Sequence, residues 1–159
     1  MIVNWGPRGS RSSFKISGKT LTQVRRNLDA RGEWGKCDWS FTWKTSMSAS
    51  GTVSRVRLTP QWTVLMPAWT EYRRAKARKQ ESWDQMWKAL LKHENGHGDV
   101  FERGFSKLER DLAALESPSS SDVDQVAQRA QQDIDKAQRS YDTETDHGRS
   151  RGVELPNDE

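Results

Sequence analysis

Hydrophobic and polar positions follow two rhythms along this chain, and the changes of rhythm mark its elements. Phe14 to Ser17 reads as a short strand ending at Gly18. Thr20 then stands as an N-cap with Gln23 three residues on, and Leu21, Val24 and Leu28 recur at helical spacing before Gly32. That predicts a helix from Leu21 to Ala30. From Asp38 to Thr45 the period drops to two: Trp39, Phe41 and Trp43 share one face, and Asp38, Ser40, Thr42 and Lys44 the other. Val53 to Leu58 and Trp62 to Met66 are further strand candidates, separated by Thr59-Pro60 and closed by Pro67. Together these strands predict a small antiparallel sheet.

The strongest pattern comes next. Ser82, with Gln85 at the third position after it, predicts the start of a long helix, and Ser117-Pro118 its end. At about 100° per residue, one face gathers Trp83, Met86, Trp87, Leu90, His93, Glu94, His97, Phe101, Phe105, Leu108 and Leu112. Lys92, Asn95, Asp99, Glu102 and Arg103 fall opposite. After a polar connector at 117–121, Asp122 to Arg139 predicts a second, weaker amphipathic helix carrying Val123, Val126, Ala130, Ile134 and Ala137. Tyr141 to Glu159 is polar and without period. The expected class is therefore α+β, with a small antiparallel sheet packed on the long helix and a second long helix returning. One domain is expected over 1–148, followed by a polar C-terminal tail at 149–159.

Composition narrows the function. With 159 residues of which 33% are hydrophobic, the chain can build one modest core, and all eight tryptophans lie by position 87. No run approaches the ~20 apolar residues of a membrane span. Met1 to Arg8 has no basic stretch followed by an apolar one, so no export leader is expected there. A single cysteine, Cys37, excludes an internal disulfide framework and a multi-thiolate zinc ribbon, and reads as a small buried residue. The net charge of +4 is small. The basic run Arg73, Arg74, Lys76, Arg78 and Lys79 is interleaved with Ala, and Trp39 and Trp43 share a face with Phe41 as a core requires. The run reads as a solvated approach to the long helix, and no nucleic-acid partner is expected.

The chemistry sits at His93-Glu94-Asn95-Gly96-His97. Residues four apart on a helix share a face, so two imidazoles can reach one zinc ion, while the carboxylate between them is offset enough to act on a water held by the metal. Both histidines and Glu94 lie on the apolar stripe, where unpartnered polar groups would carry a desolvation cost. Gly96 inside the helix costs about 1 kcal/mol relative to Ala, so that spot has a reason to be bare. A catalytic zinc needs a third protein ligand. Val100 and Arg103 stand where the metzincin pattern needs Gly and His. Glu102 points the wrong way round the helix, and Asp111 and Glu116 lie about 20 Å along its axis. His147, the last of three histidines, lies in a segment free to return to the site.

His93-Glu94-x-Gly96-His97, followed by Tyr141-Asp142-x-x-Thr145-Asp146-His147-Gly148-Arg149, resembles a bacterial family described as predicted secreted zinc-dependent proteases and long catalogued as a domain of unknown function. The Ser17-Gly18-Lys19-Thr20 helix start and Trp39-x-x-x-Trp43 are similar too, so the resemblance covers roughly Phe14 to Gly148. It implies a zincin-like zinc metallopeptidase, with His93, His97 and His147 binding zinc, Glu94 as catalytic base and a protein or peptide as substrate. It also implies secretion, for which this N-terminus carries no leader. Asp146, Asp142 or a core carbonyl would orient a ligand imidazole. Tyr141 or Arg149 would stabilise the oxyanion, although Tyr141 suits a packing role equally well. The alternative to catalysis is a zinc-stabilised module that binds a protein partner.

Overall fold

The computed structural model describes residues 2–4 and 9–158; Met1, residues 5–8 with Trp5, and Glu159 lie outside them, and so does most of the stretch read for a leader. In chain order the elements are β1 (Ile2–Asn4), β2 (Gly9–Ile16), α1 (Leu21–Arg31), β3 (Lys36–Met47), β4 (Val53–Trp69), α2 (Ala77–Ala113) and α3 (Ser120–Thr145). The class is α+β, and no helix among the described residues is long and apolar enough to cross a membrane. The Thr20 side chain caps α1 by accepting the Gln23 N–H, and Gly32 closes it in the left-handed conformation at φ 84°. Gln23 reaches one residue further back than a capping box would, accepting the Lys19 N–H at 2.9 Å.

The sheet is mixed, not antiparallel. β3 runs antiparallel to β4 from Lys36↔Leu65 to Met47↔Val53, while β1 and β2 run parallel to β4 on its opposite edge. A parallel neighbour needs a crossover, and the stretch from β2 to β4 contains α1 and β3. The two strands expected around Thr59-Pro60 are one, and the registers explain how it passes both prolines. Pro60 lies between the last β1 partner, Leu58, and the first β2 partner, Trp62. Pro67 lies beyond Leu65, where β3 pairing ends. At each proline one edge of β4 has no pairing partner among the described residues, so a missing N–H need cost no ladder bond there.

Helix α2 begins at Ala77, not at Ser82, whose hydroxyl bonds back to the Arg78 carbonyl at 3.2 Å. Its buried stripe joins two apolar clusters. Trp83, Met86 and Leu90 pack with α1, Val64 and Met66, whereas Phe101, Phe105, Leu108 and Leu112 pack with Phe41, Leu58 and the Val123–Ile134 face of α3. His93 and His97 lie between the two sets. Helix α3 starts with a reciprocal Ser119–Asp122 capping box and runs past Arg139 to Thr145. That extension carries Tyr141 and Asp142 onto a rigid element facing α2.

The polar segment after Gly148 is tied down. Val153 and Leu155 are buried in the first cluster. Asp158 accepts the Thr22 N–H in the first turn of α1 at 3.0 Å and pairs with Lys79 at the start of α2 at 2.7 Å. Two apolar residues at alternate positions in a polar stretch make too short a pattern to register as an element.

Candidate metal centre

His93 and His97 stand one turn apart in the middle of α2, with ring centroids 4.9 Å apart and planes nearly perpendicular. What fixes them is α3. The Gln138 amide nitrogen donates to the His97 carbonyl at 3.0 Å, so its oxygen, 2.6 Å from His97 Nδ1, accepts the imidazole N–H. Thr145 is fully buried and its hydroxyl donates to the Tyr141 carbonyl at 2.8 Å. Its lone pair therefore faces His93 Nδ1 at 3.4 Å. Each Nδ1 thus has an acceptor for its proton, the arrangement that suits a tautomer whose Nε2 binds a metal.

The two Nε2 atoms converge on one atom. Asp142 Oδ1 lies 3.0 Å from His97 Nε2 and 3.4 Å from His93 Nε2. His147 Nδ1, on a side chain 75% exposed at the rim, comes within 3.6 Å of the same oxygen. Among the described residues, His93, His97 and Asp142 form a group whose ligand atoms all lie within 4.8 Å of one another. Two Nε2 atoms and a carboxylate oxygen meeting in this way can hold a cation between them. His93 does not supply it as a proton: burial, and secondarily the neighbouring His97, hold its pKa down to about 4. A donor set of imidazole nitrogens and a carboxylate suits a borderline-soft divalent ion such as zinc.

Glu94 is buried beside this group, against the backbone of Gly35, where an added Cβ would lie 3.1 Å from its Oε1. Burial raises its pKa to about 8, and the negative charges of Asp142 and Glu33 push the same way. A carboxyl that takes and holds a proton near neutrality is matched to general-base work.

Tyr141 stacks on His93 at 5.2 Å between centroids and meets His97 edge-on at 4.8 Å, while its hydroxyl donates to the His93 carbonyl at 3.1 Å. Of its two expected roles, the packing one matches these contacts. Gly96 is bare because the Tyr141 hydroxyl fills the space of its Cβ. Asp146 caps α3 in the left-handed conformation. Arg149 lines the cleft. Glu102 accepts the Trp62 indole N–H at 3.1 Å and Asp111 pairs with Lys107, so two of the three rejected ligands are engaged elsewhere. Sequence reasoning missed Gln138 and Thr145. A signal existed, because Gln138, Tyr141, Asp142 and Thr145 follow i, i+3, i+4, i+7 on one helix face.

A family model described as "Bacterial protein of unknown function (DUF922)" matches residues 11–148. The chain belongs to that family. The DUF922 match runs from within β2 to the His147-Gly148 turn and so contains His93, Glu94, His97, Gln138, Asp142 and His147. No curated protein and no solved structure matches the chain.

In this DUF922 domain the histidines open into a cleft of about 750 Å³, within the range of ligand sites. Glu33, Trp34 and Gly35 wall one side, Gln138 and Asp142 the other, and Lys36, Cys37 and Trp39 bring in the edge of β3. A second hollow of about 420 Å³ continues between Asp38–Ser40 of β3 and Gln131 and Asp135 of α3. Cys37 is half-buried in this wall, and burial, aided by Glu94, pushes its thiol up to about 12.

Proposed function

We propose that this protein hydrolyses peptide bonds, with a zinc ion held by His93, His97 and His147 and Glu94 as general base. The observation that carries the reading is the convergence of two Nε2 atoms beside a buried carboxyl of raised pKa. Zinc supplies a Lewis acid that polarises a carbonyl and brings a water's pKa toward about 7. The chain's own residues do the rest. Gln138 and Thr145 hold the imidazoles in the tautomer a metal needs, the support that ligand histidines ordinarily receive. Glu94 takes the proton of the attacking water and returns it to the leaving amine.

The substrate class follows from β3. Among the described residues it pairs only with β4, so its other edge offers unpaired backbone groups along both hollows. An extended polypeptide can add to such an edge, whereas a compact small molecule has no use for it.

Glu94→Gln spares the ligands and removes the base. It should keep zinc and abolish cleavage in a proteome-wide screen against the wild type. Asp142 favours a second reading, a non-catalytic zinc-stabilised module that binds a partner, because four protein ligands are the mark of structural zinc sites. Identical peptide profiles with and without Glu94→Gln, on every substrate pool and in an Asp142→Ala background as well, would favour that module.

A further inference from the structure

We propose that Asp142 is the fourth protein ligand of this centre, so that in the resting protein the metal is closed to water and the cleft is latent until Asp142 withdraws. The proposal rests on reading His93 and His97 as metal ligands, and it adds what stands at the remaining position.

Distances argue it first. Ligands at the zinc–nitrogen distance of about 2.0–2.1 Å stand about 3.3–3.4 Å apart at the corners of a tetrahedron. From Asp142 Oδ1, the nitrogens of His97, His93 and His147 lie at 3.0, 3.4 and 3.6 Å. One oxygen thus lies near a tetrahedral edge length from each of three imidazoles, with His147 at the exposed rim, outside the His93–His97–Asp142 group whose ligand atoms all lie within 4.8 Å of one another. An orienting carboxylate would instead be expected on the Nδ1 side of a ligand histidine, and on that side Gln138 and Thr145 already stand.

The backbone argues it second. Asp146, His147 and Gly148 follow one another in the left-handed region, at φ 46°, 52° and 87°. Two of the three are not glycine, a conformation that costs energy and that clusters at functional sites. The turn brings the His147 N–H onto the Asp142 carbonyl at 2.9 Å and so folds His147 back over Asp142. Gly148 is then pressed on the centre, since an added Cβ would lie 3.0 Å from His93 Cγ.

Withdrawal has a route. The Asp142 side chain is 32% exposed, whereas that of His93 is 4% exposed. Asp142 can therefore rotate into the cleft without displacing a core group. With Asp142 out, the three imidazoles would remain and Glu94 would stand beside the opened position.

The test is cobalt substitution with azide as the probe of an open position. Loaded with Co²⁺, the full-length protein should show the intense visible bands of a four-coordinate site, and millimolar azide should leave them unchanged. Asp142→Ala should still hold cobalt and should bind azide at least about 10-fold more tightly than the wild type. Asp142→Asn, which keeps the shape and loses the charge, should weaken zinc binding by at least the about 10–100-fold that loss of an outer-shell partner costs. Wild-type cobalt protein that binds azide as readily as Asp142→Ala would overturn the proposal while leaving the metal reading intact. A wild type that binds neither metal would remove both.

Discussion

The Tyr141 hydroxyl occupies the space that a Cβ on Gly96 would need, and from there it donates to the carbonyl of His93. The bare position in the helix and the aromatic ring on the facing helix are one contact. Gly96→Ala should therefore destabilise the fold by about 1–3 kcal/mol, the usual cost of overpacking, although alanine is the better helix former. In Tyr141→Ala the same substitution should become neutral or stabilising, because the clash is gone. Urea unfolding of the four proteins in this cycle measures the coupling. Additive effects would show that Tyr141 is not what keeps Gly96 bare.

Gln138 grips His97 at both ends, accepting from the ring and donating to the main chain. Gln138→Leu should leave the fold in place and lower zinc affinity about 10–100-fold. Gln138→Glu, which keeps an acceptor for the Nδ1 proton, should recover most of that loss. Competition against a chromophoric chelator gives both numbers. Equal affinities for all three proteins would mean that the ring needs no support from α3.

The histidine pair was legible because a four-residue spacing on a helix is geometry written into sequence. Of the partners on α3, Tyr141 and Asp142 were singled out with the family resemblance and Gln138 and Thr145 were given no role, because these four repeat at helical spacing but are polar, and apolar periodicity stops at Ala137. In the sheet, Pro60 and Pro67 read as breaks, yet each falls where β4 pairs on one edge only among the described residues, a fact of pairing that no local pattern contains. The mixed strand direction was hidden for the same reason. His147 lay in a segment without period, and it reaches the site through two non-glycine residues in left-handed conformation.

Cys37 borders the cleft with its thiol pushed up to about 12 by burial and by Glu94. The thiolate is the reactive form. Iodoacetamide labelling of the native protein should therefore be on the order of 1000-fold slower than that of the unfolded chain at pH 8, and should still climb about tenfold per pH unit up to pH 10, where an ordinary thiol levels off. The stability sign follows. The folded state keeps its proton where the unfolded chain loses it, so this group's contribution falls as pH rises through the ordinary thiol range toward 12. Mass spectrometry after timed labelling reads the rate, and a native rate that is fast at pH 8 and levels off by pH 10, as an ordinary thiol's does, would contradict the burial.

Leu155 is 2% exposed, inside a segment whose composition is otherwise that of a solvated tail. It packs with Val153 in the same cluster as Leu21, Val24 and Leu90, and Asp158 ties the chain beyond it to the starts of α1 and α2. Leu155→Ala should cost about 2–5 kcal/mol, the range for a large apolar side chain removed from a core. At roughly 2–4 °C per kcal/mol for a chain of this size, Tm should fall by about 5–15 °C. Because Val153, Glu154 and Leu155 also line the cleft, the loosened segment should release His147 first. Zinc affinity should then drop in Leu155→Ala at temperatures where circular dichroism still reports a folded protein. A change below about 0.5 kcal/mol, typical of surface positions, would mean that the segment after Gly148 does not belong to the core.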